Sequence, residues 1–449
     1  MSERFDIAIL GAGPGGEHAA YALIDAGWRV LLIERELIGG ECTNWACIPT
    51  KTLLRATEVH GESERTAGTA AAELNWRELS DYRDYMTSAG DDSARVTSYE
   101  ERGATVVKGA GRVSGRGRLV VDDVEYEAER ILISTGSEPV VPPIEGLREA
   151  GYWTNREATA LTEIPTSAVI VGGGPVGIEL AQFLRRFGAD VAIVQGADRL
   201  ADREDPHVAA MLRHVLAGDG VDVRVGAQAQ HVALDGDQRV VTLDDGTELR
   251  GERLIVATGR RPRGRDIGLE AISVAPGERG EVPIDDHCRV ADGVWAAGDC
   301  TGMLQFTHVA KYQARVAMAD MQGHPVAADY RAIPRVIFTD PEVAAVGLTE
   351  AQAREAGHDV VTAQVNLPGA IARPYTYEQN PRGELGVVAD RKRRVLLGAW
   401  AVAPLASEWI HQAVLAVQAE VALDVLLQTV AQFPSYSEAY LSALQALEL

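Results

Sequence analysis

The sequence predicts an α/β protein built around a dinucleotide-binding unit that is used twice. Three observations predict it. Strand-like apolar runs alternate with helix-like runs over most of the first two-thirds of the 449 residues, a pattern that favours helices layered on a parallel sheet. The arrangement strand, Gly-x-Gly-x-x-Gly turn, helix, strand occurs twice. The length is enough for two or three domains with substantial cores.

In the first unit, FDIAIL leads into Gly11-Ala12-Gly13-Pro14-Gly15-Gly16, the helical EHAAYALIDAG and the strand RVLLIE. In the second, AVIV leads into Gly172-Gly173-Gly174-Pro175-Val176-Gly177, the helical IELAQFLRRFG and the strand DVAIVQ. The first glycine of such a turn permits a tight bend, the second lets backbone approach a pyrophosphate, and the third lets helix and strand pack closely. Phosphates then sit at a helix N-terminus, where free N–H groups and the dipole favour negative charge. One such turn is a weak signal; two in full strand–turn–helix context are a strong one. Glu34 ends the second strand of the first unit, where a carboxylate can bind both hydroxyls of an adenosine ribose. Gln195 stands at the equivalent place in the second unit. It neither repels a 2′-phosphate nor attracts one, and Arg199 and Arg203 follow it closely, so NADH and NADPH both stay open.

A formal net charge of −22 argues against nucleic acid and anionic membrane surfaces as partners, since both are polyanionic. The basic residues are almost all arginine; the lysines are Lys51, Lys108, Lys311 and Lys392. The opening MSERFDIAILGAG has no basic leader region or cleavage site, and no apolar run approaches the ~18 residues needed to span a bilayer. The cysteines Cys42, Cys47, Cys288 and Cys300 are too few and too unevenly placed for a secreted disulfide framework. Together these make cytoplasm the default. No metal-ligand set is read from the sequence.

Cys42 and Cys47 lie in Gly39-Gly40-Glu41-Cys42-Thr43-Asn44-Trp45-Ala46-Cys47-Ile48-Pro49-Thr50-Lys51, ahead of the helical TKTLLRATEV. Residues five apart on an ideal helix have Cα atoms roughly 8–9 Å apart, whereas a disulfide needs about 4.4–6.8 Å. The first turn must therefore be distorted if the two are to pair, and Pro49, which lacks a backbone donor, suits an irregular turn. A thiol near a helix N-terminus and a cation is acidified toward the reactive thiolate. Cys288 and Cys300 have no such surroundings and read as small buried residues.

These segments resemble the class I pyridine nucleotide–disulfide oxidoreductases, which include dihydrolipoamide dehydrogenase, glutathione reductase and mercuric reductase. GGECTNWACIPTK is similar to the family's redox signature. LISTGSEP, with Gly136, and LIVATGRRP, with Gly259, resemble its two inter-domain segments. GVWAAGDC resembles its second FAD fingerprint, and IPRVIFTDPEVAAVGLTE the opening of its C-terminal dimerisation domain.

The resemblance implies an FAD domain at about 1–142 and 268–325, an NAD(P) domain at about 143–267 and an α+β dimerisation domain from 326 to 449, the two nucleotide domains being Rossmann-like. It also implies a homodimer using FAD with NADH or NADPH and a small-molecule electron acceptor. Cys42 would be the interchange thiol that meets the acceptor, and Cys47 the charge-transfer thiolate paired with it. Lys51, paired with Glu179, would lie by the flavin. Asp299 would bind its ribityl and phosphate region, and the turn around His308 would approach its pyrimidine edge through backbone groups.

The C-terminus departs from the resemblance. Disulfide reductases of this family carry a His-Pro pair there with a glutamate five residues after the histidine. Here Phe433-Pro434-Ser435-Tyr436-Ser437-Glu438 keeps the proline and the glutamate and puts phenylalanine at the base position. A positioned base is worth roughly 10²–10⁴-fold, so thiol–disulfide exchange needs another proton route, with Tyr436 and Glu438 as candidates; Tyr436 and Tyr440 otherwise read as packing at the dimer interface. The expectation is a disulfide reductase with an atypical proton route. The rivals are a reductase of quinones, dyes or metal ions, and a non-catalytic flavoprotein used for binding or as a scaffold. Mercuric reductases usually add a C-terminal cysteine pair, and here no cysteine follows Cys300. A scaffold has no use for Cys42, Cys47 and Lys51.

Overall fold

In the computed structural model, which describes residues 4–449, each glycine-rich turn joins two neighbouring parallel strands through a helix. Arg4–Leu10 pairs in parallel with Val30–Glu34, and Ser167–Val171 with Asp190–Gln195. The connecting helices are Pro14–Asp25 and Pro175–Arg186, each with proline in its first turn. Proline suits that position because its fixed φ is helical and its missing N–H would be unpaired there anyway. All five residues of Val30–Glu34 are buried, as expected of a parallel strand covered on both faces.

The chain divides into two compact units. One comprises the chain up to Thr50, Ser80–Val141 and Gly259–Ala328; the other comprises Lys51–Leu79, Pro142–Thr258 and Asp329–Leu449. The first unit is organised by an eight-stranded sheet whose main path runs Arg289–Ala291, Val294–Ala296, Val124–Ile133, Arg4–Leu10, Val30–Glu34, Thr105–Lys108. The helices Pro14–Asp25 and Thr307–Met321 supply one core layer with Ala19, Ala20, Leu23, Ala314 and Ala317. On the other side Val113, Leu119 and Val121, from the strand pair Gly111–Gly115 and Arg118–Val121, close a second core.

The second unit holds a four-stranded parallel sheet, a three-stranded antiparallel one and a five-stranded antiparallel one. The last runs Pro334–Ile337, Glu342–Gly347, Val395–Ala403, Glu384–Asp390, Val360–Asn366, and helices including His411–Gln418 and Glu438–Gln445 share its core. The compact units are drawn differently from the three regions expected. The region around 143–267 and the one from 326 onward share one core, in which Ile178, Phe183 and Leu184 pack with Ile337, Val343 and Trp400. Lys51–Leu79 joins that unit because Leu53 and Leu54 are buried in the same cluster.

Candidate active site

The two turns show why each glycine is needed. Gly11 and Gly172 have φ of +104° and +119°, a region that β-carbons disfavour. A Cβ on Gly16 would lie 1.9 Å from the Gly11 carbonyl oxygen, and one on Gly177 would lie 2.0 Å from that of Gly172. Each third glycine is therefore required by packing. A Cβ on Gly13 or Gly174 would meet nothing within 4 Å, so these second glycines leave open space at the helix N-terminus. No side chain caps either helix. An uncapped N-terminus beside open space fits a pyrophosphate.

The residue ending each second strand holds its turn. Glu34, which is buried, accepts from the Ala12 N–H at 2.8 Å and from the Glu36 N–H at 2.8 Å. Gln195 Oε1 accepts from the Gly173 N–H at 3.0 Å. Ala12 and Gly173 are equivalent positions of the two turns, so one device is built twice. Arg199 donates to the Asp202 carbonyl oxygen at 2.8 Å, and Arg203 is exposed.

Asp299 begins a short 3₁₀ turn in the first unit. Its carboxylate accepts from the Ser137 hydroxyl at 2.6 Å, and that hydroxyl accepts from Arg260 at 2.8 Å. Arg260 also reaches Glu41 at 3.4 Å. Burial pushes the Asp299 carboxyl above the usual range, with the Ser137 hydrogen bond and Arg260 opposing. Gly136 and Gly259 both take positive φ with open space around their α-carbons. They precede the short antiparallel pair Ser137–Pro139 and Arg260–Pro262.

The cysteine pair lies where the chain breaks between two helices. Gly40–Asn44 carries Cys42, Trp45 leaves helical geometry at φ −139°, and a 19-residue helix begins at Cys47 and runs to Arg65. This break supplies the distortion that the five-residue spacing requires. The two thiols are hydrogen-bonded to each other, and that bond together with burial pushes the Cys42 thiol far above its ordinary range; Thr307 and Lys311 act in the opposite sense. Thr307 Oγ1 lies 3.4 Å from Cys47 Sγ.

In the second unit, Lys51 Nζ donates to Glu179 Oε2 at 2.7 Å, and Glu179 Oε1 accepts from the Phe338 N–H at 2.9 Å. The Lys51 ammonium also sits over the Phe338 ring, 4.8 Å from its centroid. Glu179 is only 3% exposed, which a helix glutamate tolerates when both oxygens are bonded. Lys51 and Glu179, 128 positions apart, are thus brought together as expected.

The other expected residues lie as follows. His308 is exposed, with its ring stacked on Phe306 at 5.2 Å; the neighbouring Thr307 is the residue that reaches the sulfurs. Phe433 is 75% exposed. Glu438 Oε2 accepts from the Ser435 N–H at 2.9 Å. Tyr436 and Tyr440, expected at a subunit interface, are buried in the core of their own unit. Tyr436 stacks on Trp409 at 5.9 Å, and Tyr440 meets the same ring edge-on at 5.7 Å. The helix Glu438–Gln445 carries Tyr440 inward with Ala439, Ala443 and Leu444. Cys288 and Cys300 are fully buried. Thr307, Ser137 and Arg260 were not singled out from sequence; a hydroxyl residue opening a helix, and the serine directly after Gly136, were the available signals.

Two glycine-rich turns that open a helix N-terminus to solvent and a contacting cysteine pair at a helix start fit the class of dinucleotide-dependent oxidoreductases. The chain belongs to the pyridine nucleotide-disulphide oxidoreductase family: that family's profile matches residues 5–314, and the profile of its dimerisation domain matches residues 333–444. It is 35% identical to a mercuric reductase of Streptomyces lividans over 98% of this chain and 96% of that one. It is 32% identical to a dihydrolipoyl dehydrogenase of Halobacterium salinarum over 99% and 96%. Among solved structures it is similar to the HOCl-induced flavoprotein disulfide reductase RclA of Escherichia coli in its Cu(II) complex. The TM-score is 0.86 and the identity 29%, over 98% of this chain and 99% of that one. It is also similar to LpdA of Mycobacterium tuberculosis, with a TM-score of 0.87 and 28% identity over 98% and 99%. The protein is therefore an NAD(P)H:disulfide-type flavin oxidoreductase of a family that depends on FAD and a pyridine nucleotide. Among the described residues, no helix is long and apolar enough to cross a membrane.

Proposed function

We propose that this chain is a reductase in which NAD(P)H opens a Cys42–Cys47 disulfide and Cys42 delivers the electrons to a small-molecule acceptor. The observation that carries this reading is the contact between the two thiols at the start of the helix Cys47–Arg65. FAD, when bound, supplies the electron-accepting centre that links NAD(P)H to the cysteine pair. The turn Gly11–Gly16, Glu34 and Asp299 would hold it, with Gly136, Gly259 and the backbone around His308 beside it. The turn Gly172–Gly177 and Gln195 would hold the nicotinamide dinucleotide. NAD(P)H gives up a hydride and becomes NAD(P)⁺. Its two electrons break the Sγ–Sγ bond, leaving Cys47 as thiolate and Cys42 as thiol. Lys51 offers a fixed positive charge whose orientation Glu179 maintains. Gln195 spends its oxygen on Gly173 and brings no charge against a 2′-phosphate, so both NADH and NADPH are admitted. The dimerisation region supports a homodimer, and the charge and cysteine usage favour the cytoplasm.

The proton route separates two classes of acceptor. Phe433 offers no base, Glu438 is engaged with the Ser435 N–H and Tyr436 is packed against Trp409. These commitments favour acceptors that take electrons without needing a base on the protein, namely quinones, dyes and metal ions, over small disulfides. The relatives named mercuric reductase point the same way, although no cysteine follows Cys300. The test is a steady-state screen of disulfides, quinones and Hg(II) or Cu(II) salts with NADH and NADPH, run on wild type and Cys42→Ser. Loss of turnover with metal ions or disulfides in Cys42→Ser supports the dithiol route. A Cys42→Ser protein that turns over every acceptor at the wild-type rate rules it out.

A further inference from the structure

Thr307 lies 260 positions from Cys47, yet its Oγ1 is 3.4 Å from the Cys47 sulfur, and it is also within reach of Cys42. It is the first residue of the helix Thr307–Met321, whose N-cap, Phe306, provides no side-chain cap. Cys47 is likewise the first residue of its own helix. A sulfur in that place receives the favourable end of its own helix dipole and touches the first residue of another. Among the groups acting on Cys42 are Cys47 and Lys311, one turn into the Thr307 helix; Lys51 stands one turn along the helix that Cys47 begins.

We propose that Thr307 is a positioning residue for the cysteine pair: its hydroxyl donates to the Cys47 thiolate and keeps the negative charge on that sulfur while Cys42 retains the proton. A thiolate can only accept, so in the reduced state the Thr307 O–H and the Cys42 S–H both point to Cys47. Hydrogen bonds to ionised acceptors are the stronger kind. In the disulfide the same hydroxyl has no anion to serve, so its contribution belongs to the reduced pair. The proposal rests on Cys47 being the thiolate of the pair, as assigned above.

The test uses FAD-loaded protein carrying Cys42→Ser, which leaves Cys47 as the single thiol of the pair. Its ionisation is followed against pH by the long-wavelength absorbance of a thiolate beside FAD. It is followed independently by the rate of iodoacetamide labelling at Cys47, read by mass spectrometry. Thr307→Val, close in shape but without a donor, is expected to raise both midpoints by about one pH unit, a tenfold loss of thiolate at fixed pH. Thr307→Ser should hold them within a few tenths of a unit, and Thr307→Ala provides the same test if valine does not pack. Unmoved midpoints in the donor-less variants, or a serine variant that shifts as far as valine, overturn the proposal. If the parent shows no long-wavelength band but Thr307→Val still moves the labelling midpoint, the placing of Cys47 beside FAD is wrong while the role of Thr307 stands.

Discussion

Replacing Glu179 with glutamine tests whether the buried carboxylate holds Lys51 and Phe338 together. Glu179 presents two acceptor oxygens, one 2.7 Å from Lys51 Nζ and one 2.9 Å from the Phe338 N. Glutamine has one acceptor oxygen and an NH₂ group. Whichever way the amide turns, one of these two contacts becomes donor against donor. Losing a charge-assisted hydrogen bond costs about 1.5–3 kcal/mol, and leaving the Phe338 N–H unpaired costs about 1–3 kcal/mol. Only one of the two is lost, and the Lys51 side chain is 35% exposed, so water recovers part of its loss. The expected destabilisation is about 2 kcal/mol, below the ~3–5 kcal/mol of a fully buried broken pair. Hydrogen–deuterium exchange tells which contact is given up: with the NH₂ turned to Phe338 its amide exchanges about tenfold or more faster, and with the oxygen kept there the loss falls on Lys51. Combining Glu179→Gln with Lys51→Met should cost less than the two changes separately, by about 1 kcal/mol. An amide at Phe338 as protected as in wild type, with strictly additive costs, would refute the reasoning.

Gly13→Ala should leave the apoprotein folded, since the added carbon meets nothing within 4 Å at an ordinary φ of −76°. It should weaken FAD retention by about tenfold to a hundredfold, the equivalent of an overpacking cost of about 1–3 kcal/mol. Gly16→Ala should instead disrupt folding, because its carbon would sit 1.9 Å from the Gly11 oxygen; flavin absorbance per chain and circular dichroism separate the two outcomes. Burial pushes the Glu17 carboxyl up to about 6, against the pull of Arg95, the Tyr99 hydroxyl and Lys311. A folded pKa raised above the unfolded one gives stability that is complete below about pH 4.5 and lost as pH rises through about 6. Glu17→Gln should therefore stabilise the apoprotein by up to about 2 kcal/mol at pH 8 and by little at pH 4.5; equal gains at both pH values in urea unfolding would exclude burial as the cause. Phe433→His should cost less than about 0.5 kcal/mol, because Phe433 is 75% exposed. It should raise turnover on a small disulfide by no more than ~10²-fold, short of the full general-base effect, since Glu438 is engaged with Ser435; unchanged disulfide turnover would remove the base position as the limiting feature.

Both glycine turns, their flanking strands and helices and the cysteine pair were legible in the sequence, because each is a local pattern. A positive φ at Gly11, a helix opened by proline and a strand buried on both faces depend on residues within one supersecondary unit. So does the break at Trp45, which the five-residue spacing of Cys42 and Cys47 already demanded. Family resemblance added the pairing of Lys51 with Glu179, which no local pattern contains. Tertiary structure alone decided that Thr307 meets the sulfurs. On an α-helix consecutive residues point about 100° apart, and only the packed position of that helix chooses which of them faces the cysteines. It also decided the fate of Tyr436 and Tyr440. An aromatic residue has the same affinity for a core as for an interface, and here Trp409 and the five-stranded sheet received them within the chain. The shared core that joins Ile178 and Phe183 to Ile337 and Trp400 has the same origin: apolar faces record that they must be covered, and only the three-dimensional arrangement determines by what.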